Sequence, residues 1–242
     1  MANRSIFLFG VMATALAVSV MAHASSSLIA IDVGHSLQAT GATSARGKTE
    51  FEFNRELALV VWQSIAAKGG QAFEIGADGK SVDPETRPVE ASARNAKFFI
   101  SIHHDSVQPQ YLEEWNWQGG TQQHADQFSG FSLFVSRKNK QLAASLHCAS
   151  EIGAALKAAG FAPSNHHAEN IEGENRPWAD QTNGVYYYDN LIVLKNAKIP
   201  AVLLEAGIIV NQHEEKKLLE PTVRKAIGAA VANGLGSCGM LK

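Results

Sequence analysis

Phe98-Phe99-Ile100-Ser101-Ile102-His103-His104-Asp105 is the stretch on which the reading of this chain turns. Five apolar or small residues suit a buried strand, and the abrupt change to two imidazoles and a carboxylate puts ionisable groups at its end. In open α/β sheets that end is where ligands are held. The design recurs upstream, where the apolar run Leu28 to Val33 closes at Gly34 and delivers His35. It recurs downstream, where Ala201-Val202-Leu203-Leu204 runs into Glu205, Ala206 and Gly207.

Helical periodicity separates these runs. Phe53, Leu57, Val60, Val61 and Ile65 are spaced by about three and four residues from Glu50 to Lys68, and Gly69-Gly70 ends the pattern, so Glu50 stands at a helix N-terminus. A second helix is expected from about Pro84 to Ala96, and a third from Asn139 to Ala159 on the stripe Leu142, Leu146, Ile152, Ala155 and Leu156. A last helix starts near Glu214 or Pro221 and reaches Ala232. Phe131 to Ser136 and Leu191 to Leu194 read as further strands, while 36–48, 106–129 and 162–183 read as loops. The middle loop carries Trp115, Trp117 and Gly119-Gly120 and is placed to border a cleft. Interleaved strands and helices predict a single α/β domain, a layered, mixed but mostly parallel sheet flanked by helices.

Arg4 followed by an apolar stretch from Ile6 to Val20 has the form of a signal peptide, too short to span a bilayer comfortably. Cleavage after Ala22-His23-Ala24 would leave residues 25–242 as the domain, exported to the periplasm or secreted, with no membrane attachment afterwards. The formal charge of −2 has none of the basic excess of a nucleic-acid binder. Cys148 and Cys238 are the only cysteines. An oxidising compartment would permit their pairing, and their spacing neither requires nor forbids it.

His35, Glu50 and His103 together supply the two nitrogens and one oxygen with which a hydrolytic zinc site is built, leaving a fourth position for water. Glu205 is then a second carboxylate able to move the water's proton, and its place after four apolar residues favours a raised pKa suited to that work. Alone it could equally cap backbone or pair with Lys195 or Lys198.

Ile31-Asp-Val-Gly-His35, Glu50 after Gly47-Lys48-Thr49, Ser101-Ile-His103 and Leu204-Glu205-Ala-Gly207 followed by Asn211 resemble, in order, the motifs of the zinc-dependent N-acetylmuramoyl-L-alanine amidases of the amidase 3 type. The resemblance spans nearly all of residues 25–242. It implies cleavage of the amide between N-acetylmuramic acid and the first alanine of the peptidoglycan stem, one Zn2+ on His35, Glu50 and His103, and Glu205 as the proton carrier. Arg87 matches an arginine that opens the helix before the second histidine motif, and Val193-Leu194-Lys195 with Pro200 matches the approach to the catalytic strand. Val33, Phe51, His104 and Ile208-Ile209 depart from the family pattern without removing a metal donor. Arg87, His104 and Asn211 are the candidate substrate contacts.

Adjacent strand residues face opposite sides, so His103 rather than His104 is the expected ligand. His124, His147, His166, His167 and His213 are read as non-ligands, the pair His166-His167 as a solvated turn. Ala42 to Thr49 fits a relaxed phosphate-loop pattern but lies too far beyond the preceding strand to cradle a nucleotide. Some members of the family insert a helix that plugs the zinc site, and Glu113-Glu114 marks the corresponding place, although Gly119-Gly120 would interrupt a helix there. The expected protein is a monomer that acts on peptidoglycan or muropeptides, with an activator protein as a second kind of partner. A zinc peptidase cutting inside the stem and a non-catalytic wall-binding module, gripping glycan through Trp115, Trp117 and Tyr186 to Tyr188, are the alternatives.

Overall fold

A strand that is apolar on both sides needs cover on both faces, and the order of elements supplies it. In a computed structural model that describes Met1 and residues 27–242, the chain runs β1 (Leu28–Val33), α1 (Glu50–Ala67), β2 (Gln71–Ile75), α2 (Thr86–Ala93), β3 (Phe98–Asp105), β4 (Glu113–Trp117) and β5 (Gly120–His124). It continues through β6 (Ser132–Val135), α3 (Leu142–Ala158), β7 (Trp178–Asp180), β8 (Val185–Tyr187), α4 (Ile192–Lys195), β9 (Ala201–Ile208), α5 (Gln212–Leu219) and α6 (Pro221–Ser237). The expected signal peptide and its cleavage point lie outside the described residues.

The main sheet has the order β2-β1-β3-β9-β6-β8-β7. Its β2, β1, β3 and β9 are mutually parallel, β6 runs antiparallel to β9, and β7 runs antiparallel to β8. Period-two alternation sends Ile29, Ile31, Phe98, Ile100 and Ile102 to one face, against Leu57 and Val61 of α1, Ile152 of α3 and Val231 of α6. Ala30, Phe99 and Leu203 go to the other, against Ala91 of α2 and Val193 and Leu194 of α4. Cys148 of α3 and Cys238 beyond α6 are joined by a disulfide, with Cα atoms 5.1 Å apart.

Several expectations change. Residues 106–129 are not one loop: β4 and β5 form an antiparallel hairpin turned by Gln118-Gly119, and Glu113 and Glu114 belong to its exposed strand rather than to a helix. Leu191 to Leu194 is no strand but leads into the single helical turn α4, because four apolar residues carry too little periodicity to tell the two apart. β2, β7 and β8 were not expected, being short and only partly buried or flanked by polar loops. The strand begun at Ala201 continues to Ile208, so Glu205 lies within β9 rather than at its end.

Candidate metal and catalytic site

Parallel pairing of β1 with β3 aligns Val33 with Ile102, so the residues just beyond, His35 and His103, emerge at the same edge of the sheet. Between them stands the N-terminus of α1 with Glu50 as its first residue. His35 Nε2 lies 3.0 Å from Glu50 Oε2, and His103 Nδ1 lies 2.9 Å from Glu50 Oε1. All three side chains present one donor atom within 4.8 Å of the others. Glu50 is held further by the Ala42 amide, which donates to Oε2 at 3.0 Å, and by Asn54 Nδ2, which donates to Oε1 at 3.2 Å.

Space has been cleared around these donors. A Cβ on Gly34 would fall 2.3 Å from His103 Nε2, and one on Gly41 would fall 2.3 Å from Glu50 Oε2 and 2.6 Å from His35 Cδ2. His35 itself has φ of +68°, a left-handed conformation uncommon outside glycine, and the Arg87 guanidinium donates to its carbonyl. Burial alone would raise the Glu50 carboxyl, but hydrogen bonds and charge from His103 and His35 outweigh it and hold the group well below the usual carboxylate range. Burial works against a charged His35, yet its bond to Glu50 raises it above an ordinary histidine.

Glu205 is paired with His103 across β3 and β9, which places the two on one face at the same level. After that pair β9 holds one residue more than β3, His103 pairing with Glu205 but Asp105 with Ile208, so the strands shift register beside the site. Burial first, then the charges of Asp105 and Glu50, raise the Glu205 carboxyl well above its ordinary value. Its Oε2 has no hydrogen-bond partner among the described residues. The carboxyl lines a pocket with Asp105, Phe134, His167, Arg176 and Tyr188.

The three residues expected to touch substrate are instead committed to the fold. Arg87 is buried, its Nη1 donating to Asp32 Oδ1 at 2.7 Å and to the Val33 carbonyl, its Nη2 to the carbonyls of His35 and Ser81. His104 points to the opposite face from His103, buried against Phe53 with Nδ1 2.8 Å from Asn54 Oδ1, and burial pulls it down to about 3. Asn211 caps α5, accepting from the His213 and Glu214 amides while its Nδ2 donates to the carbonyls of Asp126 and Phe128. Arg87 braces the His35 backbone and His104 braces Asn54 behind the cluster, whereas Asn211 braces the start of α5.

His166 and His167 are not a solvated turn. Both are buried, and with Asp105 they form a second group whose donor atoms lie within 4.8 Å of one another. A signal was present in the run of carboxylates Glu169, Glu172 and Glu174 that follows the pair, since buried histidines need acceptors. At the hairpin, Trp115 and Trp117 stack at 5.3 Å with the Arg46 guanidinium over both rings.

The family model described as Amidase_3, N-acetylmuramoyl-L-alanine amidase, matches residues 29–237. The chain belongs to that family. It is therefore a peptidoglycan amidase, a hydrolase of the cell wall. Among solved structures it is similar to the N-acetylmuramyl-L-alanine amidase Ami1 from Mycobacterium smegmatis, with a TM-score of 0.69 at 18% identity over 88% of this chain and 97% of that one. The catalytic domain of the amidase CwlV from Bacillus (Paenibacillus) polymyxa var. colistinus gives 0.66 at 22% identity, over 89% and 99% of the two chains. The CwlD amidase from Clostridioides difficile, solved in complex with the GerS lipoprotein, gives 0.64 at 21%, over 88% and 98%. These likenesses confirm the amidase fold. No curated protein shows significant similarity to the chain.

Proposed function

We propose that this amidase is an exported zinc enzyme in which His35, Glu50 and His103 hold the ion and Glu205 moves the proton. The observation that carries the reading is the convergence of two imidazole nitrogens on the two oxygens of one buried carboxylate, in a cradle kept open by Gly34 and Gly41. Two imidazole nitrogens and a carboxylate oxygen, each donor within 4.8 Å of the others, would supply the three protein ligands of a zinc site and leave a fourth position for water. Zinc held there supplies Lewis acidity, polarising the scissile carbonyl and lowering the pKa of a water towards about 7.

The protein's own groups do the rest. Glu205 accepts a proton as water attacks the carbonyl carbon of the lactyl amide, then returns it to the alanine nitrogen as the carbon–nitrogen bond breaks. A carboxyl raised by burial and by like charges is a stronger proton acceptor than an exposed one. Ala42 and Asn54 fix Glu50, and Arg87 fixes the His35 backbone, so that the donors are set before substrate arrives.

Peptidoglycan is the substrate of this reading, with the protein working as a monomer in the periplasm or outside the cell. An activator protein is the second class of partner to look for, and the CwlD amidase, solved in complex with a lipoprotein, shows one kind of protein that such a fold can bind. Glu205→Ala should keep its zinc and lose about 10²- to 10⁴-fold in turnover, whereas Glu50→Ala should lose the metal. Near wild-type release of stem peptides by Glu205→Ala, or unchanged zinc content in Glu50→Ala, would remove the assigned role. A peptidase acting within the stem would yield shortened stems, and a wall-binding module would yield none.

A further inference from the structure

Beyond the proposed zinc centre, a second set of donors converges two residues further along β3. Asp105 Oδ2 lies 3.1 Å from His166 Nε2 and 2.9 Å from His167 Nε2, and the two rings are 3.8 Å apart. Despite these distances, none of the three atoms has a hydrogen-bond partner among the described residues, and all three are buried. The contacts are short but miss the alignment of N–H···O hydrogen bonds, so the three atoms converge on one spot, each within 4.8 Å of the others. Buried polar atoms are nearly always paired in good geometry, and three poorly aligned ones at one spot suit a shared partner placed between them.

The far side of each ring is already engaged. His167 Nδ1 is 2.8 Å from Glu174 Oε2, and His166 Nδ1 is 2.8 Å from Ser164 Oγ. A carboxylate that accepts from Nδ1–H fixes the neutral ring with Nε2 as its electron-pair donor, the arrangement by which metal-bound histidines are oriented. Glu174 is itself fixed, accepting from Gln108 Nε2 at 2.7 Å. Orphaned donors within and oriented rings behind are thus independent features of one place.

We propose that Asp105, His166 and His167 form a second metal site, which takes a divalent transition-metal ion of the zinc class. Two imidazoles and one carboxylate favour such an ion over magnesium or calcium, which prefer oxygen throughout. The site opens on the pocket that also holds Glu205. The proton carrier therefore lies within electrostatic reach of both clusters, through Asp105 on one side and Glu50 on the other. The proposal does not depend on what His35, Glu50 and His103 bind.

Counting metal tests it. The full protein, stripped with chelator, reloaded with a small excess of Zn2+ and desalted, should retain two equivalents per chain, and a Co2+ titration followed by visible absorption should saturate at two. A folded His166→Gln/His167→Gln variant should retain one. Glu174→Gln, which keeps all three donors, should weaken one equivalent by about 10- to 100-fold and leave the other unchanged, and this serves if the double variant fails to fold. His103→Ala should still hold an ion at the second site. Saturation of the wild-type protein at one equivalent that His103→Ala abolishes would overturn the proposal, as would two equivalents surviving in the double variant. One equivalent that persists in His103→Ala but disappears in the double variant would support it while contradicting the first centre.

Discussion

Gly41 and Gly34 are where single atoms matter most. Gly41 combines φ of +75° with the absence of a side chain where a Cβ would strike both Glu50 and His35. Gly41→Ala should lower zinc affinity by about 10- to 100-fold, measured by competition with a chromophoric chelator. Gly69 has a similar φ of +73° but open space around it. Gly69→Ala should therefore cost about 1 kcal/mol of stability and leave zinc affinity as it was, and equal metal binding by the two variants would show that the cradle is not needed. Arg87 belongs to the same scale. Its removal strands Asp32, left among the described residues with the Ser101 hydroxyl at 2.6 Å, so Arg87→Met should lose about 3 to 5 kcal/mol in urea unfolding. A loss under 1 kcal/mol would mean that the pair contributes little.

The element that sets Glu50 is α1, and its N-terminus is built by a capping box. Glu52 Oε2 accepts from the Thr49 amide at 3.1 Å and the Thr49 hydroxyl at 2.7 Å, and these bonds lower its carboxyl below the ordinary 4.5. The folded state therefore binds this proton less readily than the unfolded chain. Its contribution is full above about pH 4.5 and is lost as pH falls through the lower folded value. Glu52→Gln should cost about 0.5 to 1 kcal/mol at pH 7, and the difference from wild type should shrink below pH 4.5 in thermal melts. A difference constant across that range would place the effect elsewhere. Elements with a long apolar stripe, such as α1 and α3, were legible in the sequence, as were β1, β3 and the start of β9. The segment holding His166 and His167 was not. Its polar residues read as solvated, yet they are buried by bonding one another, His167 to Glu174 and Glu174 to Gln108, and hydrophobic periodicity is blind to that kind of burial.

Across the whole molecule, the disulfide ties α3 to the residue that follows α6, across a separation of 90 residues. Closing so long a loop restricts the unfolded chain, and reduction should lower stability by about 2 to 4 kcal/mol, read from denaturation with and without reductant. Unchanged stability would show that packing of α3 on α6 alone suffices. No spacing rule in the sequence could decide this pair, because only the fold brings Cys148 and Cys238 together. The four motif residues stand out in the sequence for the opposite reason, since His35 and His103 follow short apolar runs, Glu50 opens the periodic α1 and Glu205 interrupts the apolar run of β9. Their combined work can be tested on purified peptidoglycan, digested with and without chelator and then with zinc restored, the products being weighed by mass spectrometry. Intact stem peptides with a free N-terminal alanine should be released, vanish on chelation and return with zinc, whereas shortened stems, or release indifferent to the chelator, would contradict a zinc-dependent cut at the muramoyl amide.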